Sequence, residues 1–269
     1  MHITIWDHPA ARFLLSGLSS SPYASTVTVE ETARTETLNT LVAGETDVAL
    51  ITTLEALRNH DMVDVLPAVA LSAWKYPFAK LHLKDGLSTA PAEVTFDAAF
   101  EQEAVVARMV LKEHYRMTPA FEASDPDVQS ENRVDVGTGV EPSGQNVLDL
   151  GQEWFELSGY PMLWGVFATL KGNAEEDVID TMRGIVATSE AQRGLFLRTN
   201  EQTPEMHDFI SNQLRLRFDD LAIAGLTEFR QYLFFYGLLE DMTELPVVFV
   251  SDPDDDEDSD DDSDDQLQV

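Results

Sequence analysis

Two periodicities organise the chain. Short apolar runs with a period of two, or apolar throughout, read as strands, and stretches with apolar residues three and four apart read as helices. Ile3-Thr4-Ile5-Trp6 is a first strand, followed by a helix over Ala10–Leu18 and a second strand over Thr26–Val29. Thr35–Ala43 is amphipathic, and Gly44 is placed to end it as a C-cap. Asp47–Ile51 is apolar nearly throughout, as a buried strand requires, and Thr52–Arg58 opens the next helix. Val65–Ser72 and Lys80–His82 follow as strands. Beyond the turn-rich Ser88-Thr89-Ala90-Pro91, Glu93–Phe96 is strand-like. Phe100–Tyr115 is a helix with Ala104, Val105, Ala107, Arg108, Leu111 and Tyr115 near helical spacing. Phe121–Ala123, Arg133–Val136 and Met162–Ala168 complete the strands. The remainder reads as helical, over Ala174–Gln192, Pro204–Leu214 and Leu226–Leu239.

Strands alternating with helices imply an α/β fold. The chain runs out, crosses at about residue 88 and returns at about residue 172. This predicts two lobes, residues 1–88 with 172–250 and residues 89–171, separated by a central cleft. A ligand would sit in that cleft, at strand ends and helix starts.

Charge changes the picture of the surface. The 269 residues hold 49 acidic and 17 basic side chains, a formal net charge of −32. Ser251–Asp265 contains 11 of the acidic residues and no basic one, and is expected to be a disordered, solubilising tail. The rest still carries 38 acidic against 17 basic residues, or −21, and only 5 of the basic residues are lysine. Such a surface suits concentrated salt, which screens the self-repulsion, so a halophilic source is expected. It lacks the basic footprint that nucleic acid requires. With no cysteine, there is no disulfide, thiolate nucleophile or cysteine-bound metal. The six histidines show no metal-ligand spacing, so no metal is expected. The opening MHITIWDHPAARF has no cationic region ahead of an apolar core, and no apolar run reaches the length of a membrane span. A soluble, cytoplasmic protein is expected.

Three segments carry a family resemblance. DLGQEWFELSGYPMLWGVFA contains Asp149, Leu150, Gly151, Trp154, Gly159, Pro161, Trp164, Phe167 and Ala168. LVAGETDVALITTLEALR spans residues 41–58, and LRLRFDDLAIAGLTEFRQYLFFYGLL spans residues 214–239. In this order and spacing the chain resembles the chorismate dehydratase family of the futalosine route to menaquinone, over about residues 2–240. The resemblance implies a two-lobed fold like that of type 2 periplasmic binding proteins. It also implies a lyase that converts chorismate to 3-[(1-carboxyvinyl)oxy]benzoate and water, with no cofactor. Gly151 and Gly159 would supply unusual backbone angles, Pro161 would stiffen the strand entry, and Trp154 would pin the short helix.

The resemblance thins at the cleft. Asp7-His8-Pro9-Ala10-Ala11 stands where the family has a loop ending in Asn-Thr, which puts Ala10 at the Asn position. Lys75-Tyr76-Pro77-Phe78-Ala79 places Ala79 where the family has a Ser. Asp97-Ala98-Ala99-Phe100-Glu101-Gln102-Glu103 replaces a hydroxyl-rich helix start carrying an Arg, and its two glutamates would repel a carboxylate. The residues present suggest other chemistry. Asp7 and His8 could act as a general acid/base pair, or could equally satisfy hydrogen bonds of their loop. Lys75, Lys80 and Arg12 could bind a small anionic substrate. Asp135, Gly137 and Thr138 stand at a position similar to a family strand end that lines the cleft, so they could approach a ligand or could equally form a plain turn. A non-catalytic protein binding a small carboxylate on the same scaffold is the alternative function.

Overall fold

A computed structural model describes residues 1–125, 130–137, 146–200, 203–242 and 244–248. The first sheet has six strands. Next to one edge lies β1 (His2–Trp6), parallel both to β2 (Thr28–Thr32) and to β3 (Val48–Ile51). β10 (Met162–Leu170) runs antiparallel between β3 and β4 (Val63–Ala73), and β11 (Leu214–Arg217) closes the far edge against β4. β3, β4 and β10 are buried almost from end to end, which explains their mostly apolar sequence. β2 is the opposite edge and shows Glu30 and Glu31 on a mostly exposed strand, as an edge that must not pair with other chains does.

The second sheet has five strands in the order β7-β6-β8-β5-β9: β5 (Ala79–His82), β6 (Glu93–Phe96), β7 (Ala120–Ala123), β8 (Arg133–Val136) and β9 (Val147–Asp149). Around the sheets lie α1 (Pro9–Ser16), α2 (Thr37–Val42), α3 (Thr53–Arg58), α4 (Glu101–Met109), α5 (Leu150–Ser158), α6 (Glu176–Thr199), α7 (Pro204–Asp208) and α8 (Asp220–Phe235).

The passages between sheets differ from those expected. β5 belongs to the second sheet, so the chain leaves the first sheet through residues 74–78, and the Ser88–Pro91 turn lies within the second. The return falls between α5 and β10. Leu214, expected to end a helix, instead opens a strand, Leu214–Arg217, whose leucines are buried while its arginines are more exposed. The helix from Phe100 keeps α geometry only to Met109 and then widens into a π turn over Val110–His114. The acidic tail lies outside the described residues.

The Gly-, Trp- and Pro-containing stretch resolves into separate causes. Asp149 caps α5 by accepting from the Gln152 N–H at 3.0 Å. Gly159 ends the helix at φ +79°, the left-handed conformation that favours glycine. Gly151 is needed for space rather than for backbone angle, because a Cβ there would lie 2.6 Å from the Tyr76 backbone nitrogen. Trp154 is fully buried, with its ring edge-on to Phe229 and Tyr232 of α8 at 5.6 and 5.5 Å.

Candidate active site

A cavity of about 280 Å³ opens between the sheets. The end of β1 supplies Trp6, Asp7 and His8, the end of β2 supplies Thr32, Ala33 and Arg34, and the passage to the second sheet supplies Tyr76. Phe100, Val136 and Gly137 face them from the other side. This is the position an α/β fold offers a ligand, beyond the carboxyl ends of parallel strands. The Trp6 indole has room because residue 165 is glycine, where a Cβ would lie 2.7 Å from the ring.

His8 is buried and caps α1. Its Nδ1 accepts the Ala10 N–H at 3.1 Å, so the ring proton sits on Nε2, which donates to the Tyr76 hydroxyl at 2.8 Å. Burial is the main cause that drives its pKa down to about 3, and the charges of Arg34 and Arg12 add to it. His8 is therefore a neutral imidazole at any ordinary pH. Tyr76 is held through its backbone N–H, which donates to Asp149 Oδ1 at 2.8 Å, and by its ring, stacked on Trp164 at 4.1 Å and 11°. Burial, then the charge of Glu103, raise its pKa, so it stays a protonated hydroxyl.

Arg34 spans the cleft. Its Nη2 donates to Glu103 Oε2 at 3.0 Å and lies 2.9 Å from Oε1, and its guanidinium lies 5.3 Å from the Trp6 ring and 5.4 Å from the Phe100 ring. Burial is the largest influence and works against its charge, but Glu103, with Tyr76 and Glu55, together outweigh it and hold the pKa above its ordinary value. The two residues before Glu103 also tie α4 to α3 and to β10 of the first sheet. Gln102 accepts the Leu54 N–H at 2.8 Å and donates to the Trp164 carbonyl at 2.9 Å, and Glu101 pairs with Arg58 at 2.9 Å. The helix start expected to repel a ligand carboxylate is thus a clasp between the lobes.

The expected site residues separate. Asp7 and Gly137 line the cleft, but Asp7 turns to Arg12 at 2.6 Å while His8 turns inward, so they form no acid/base pair. The premise that His8 titrates near neutrality fails because the ring is desolvated. Lys80 is buried and paired with Asp149 at 3.2 Å, and Lys75 is exposed outside the lining. Ala10 and Ala79 are fully buried and present no surface to a ligand. Asp135 pairs with His82 and Arg133 at 3.5 and 3.6 Å, in a separate depression of the second sheet. Thr138 lies outside the described residues. Thr32, Arg34 and Tyr76 are polar lining residues that the sequence did not single out. Arg34 is marked only by its place in the loop after a parallel strand, and Tyr76 by its place in the segment between Lys75 and Lys80.

Two α/β sheets enclosing a polar, aromatic-walled cleft define the periplasmic-binding-protein fold. Residues 1–234 match the family model described as menaquinone biosynthesis, and the chain belongs to that family. No curated protein matches. Among solved structures, a protein of Archaeoglobus fulgidus superposes with a TM-score of 0.63 at 14% identity, over 88% of this chain and 98% of its own. The alkanesulfonate-binding protein of Xanthomonas axonopodis pv. citri, bound to MOPS, gives 0.63 at 10% identity over 92% and 97%. A Candida albicans gene product with the generic periplasmic-binding-protein fold gives 0.57 at 11% over 91% and 92%. At these identities the likeness is one of fold.

Proposed function

We propose that the chain is a hydro-lyase of menaquinone biosynthesis that removes water from chorismate. The observation that carries this reading is the membership of residues 1–234 in the menaquinone-biosynthesis family. The cleft adds support, since it offers a cation, a hydroxyl donor and a carboxylate within one cavity. In this reaction the ring loses the proton beside the enolpyruvyl ether and the neighbouring hydroxide, and the gain of aromaticity drives it. Among the described residues Asp7 is the one carboxylate in the lining, and it would accept the proton. His8 has both ring nitrogens engaged and would act by holding Tyr76 in place.

The alternative is a binding protein for a small carboxylate. It is favoured by the buried alanines at positions 10 and 79, where the resemblance expects an amide and a hydroxyl. A turnover assay separates the two. The purified protein is mixed with chorismate in molar KCl, and formation of 3-[(1-carboxyvinyl)oxy]benzoate is followed. Product above background, lost in Asp7→Asn, supports the lyase. Its absence from a folded protein leaves the binding function.

A further inference from the structure

The cleft contains two hydrogen-bond donors for which the described residues provide no acceptor. The first is the Tyr76 hydroxyl. Because His8 Nδ1 accepts the Ala10 N–H, Nε2 must carry the ring proton and donate it to the Tyr76 oxygen. The tyrosine's own proton is then free to be donated to something else. The second is Arg34. Glu103 occupies only its Nη2, while the buried Nε has no hydrogen-bond partner and Nη1 has none among the described residues. A buried donor without an acceptor costs on the order of 1–3 kcal/mol, and such groups collect where a ligand completes them. Both side chains line the same cavity, whose remaining walls include the apolar faces of Trp6, Phe100 and Val136.

We infer that Arg34 and Tyr76 form the seat for a carboxylate carried on a flat, unsaturated ring, with Trp6 and Phe100 as the walls around that ring. The seat rests on the reading of the cleft as a carboxylate site, and it assigns the recognition to residues other than the lysines and Arg12. The acceptor is anionic because one donor is a guanidinium, which hydrogen-bonds a charged oxygen more strongly than a neutral one. A flat ring fits because the walls are aromatic. Glu103 shares the guanidinium and so opposes a second carboxylate. The seat is therefore weaker than an unshared arginine would make it, and Glu103→Gln is expected to strengthen it.

Benzoate is the test probe and benzamide its neutral control, with binding measured by calorimetry at one fixed KCl concentration. Wild type is expected to bind benzoate in preference to benzamide. Tyr76→Phe keeps the ring stacked on Trp164 and removes only the donor, and the Arg34→Gln/Glu103→Gln double variant removes the buried pair together so that neither charge is stranded. Each is expected to weaken benzoate by roughly ten-fold or more. Glu103→Gln alone is expected to tighten it several-fold, and Lys84→Gln, an exposed pair with Glu131, to leave it unchanged. The seat is overturned if wild type binds no benzoate at millimolar concentration, or if Tyr76→Phe and the double variant bind it as wild type does. Benzoate bound through these residues without chorismate turnover would keep the seat and remove the lyase reading. Turnover retained in full by both variants would do the reverse.

Discussion

His8 is a histidine that the fold keeps from titrating. Its unfolded-chain pKa of 6.5 falls to about 3 in the folded protein, mainly through burial. Between these values the unfolded chain binds a proton that the folded chain does not, so this residue lowers stability as pH falls from about 6.5 towards about 3. Above pH 6.5 the penalty is absent. His8→Asn keeps an N-cap acceptor and removes the titrating ring. Its Tm is expected to fall less steeply than that of wild type across this window, and parallel profiles would mean that the ring is charged in the fold. Two glycines of one segment provide a second test at this scale. Gly159 is at φ +79° with open space around it, so Gly159→Ala should cost about 1–2 kcal/mol and Gly159→Asn less. Gly151 has ordinary helical geometry but abuts the Tyr76 backbone, so Gly151→Ala and Gly151→Asn should both destabilise, and Asn the more. Denaturant titrations of the four variants check the contrast.

The N-terminus of α4 decides how the two sheets are held. Three consecutive side chains reach across from it, to Arg58, to the Leu54 and Trp164 backbone, and to Arg34. Their worth differs by burial. The Arg58–Glu101 pair is partly exposed and contributes at most about 1 kcal/mol. Gln102 satisfies two buried backbone groups, so Gln102→Ala should cost ~2–4 kcal/mol by leaving both unpaired. Arg34→Gln alone strands the fully buried Glu103 and should cost ~3–5 kcal/mol, most of it restored in the double variant that also carries Glu103→Gln. Chemical denaturation of the single and double variants tests this, and strict additivity would contradict it. None of this clasp was visible in the sequence, where Glu101 and Glu103 read as repulsive, because their arginine partners are distant in the chain. Elements defined by local signals were legible: β6 and β8 fall where short runs rich in β-branched residues sit between turn formers. β11 was not, since four residues of alternating Leu and Arg beside a helical segment fit a helix end as well as a strand. Its strand state comes from pairing with β4, a tertiary fact.

At the scale of the whole molecule, charge sets the conditions under which this fold persists. With 49 acidic and 17 basic side chains, most acidic groups cannot find a cation. Salt has two opposed effects here. It weakens exposed pairs such as Asp7–Arg12 and Glu131–Lys84, each worth at most about 1 kcal/mol. It also screens the mutual repulsion of the surplus carboxylates, whose pairwise terms far outnumber those few attractions. Buried pairs such as Arg34–Glu103 and Lys80–Asp149 are shielded from salt and hold the interior in either case. The repulsion term therefore wins, and Tm is expected to rise as KCl increases from millimolar to molar. Because the effect is screening, most of the rise should come at low salt, where the Debye length shrinks from ~30 Å at 0.01 M to ~10 Å at 0.1 M. A rise that continues linearly into the molar range would instead indicate preferential exclusion of salt from the surface. Shortening the chain to residue 250 removes 11 carboxylates but leaves −21, so the low-salt rise should shrink and keep its sign. A Tm that falls with added KCl in both chains would show that the exposed ion pairs outweigh the repulsion, and the expectation of a protein suited to concentrated salt would fall with it.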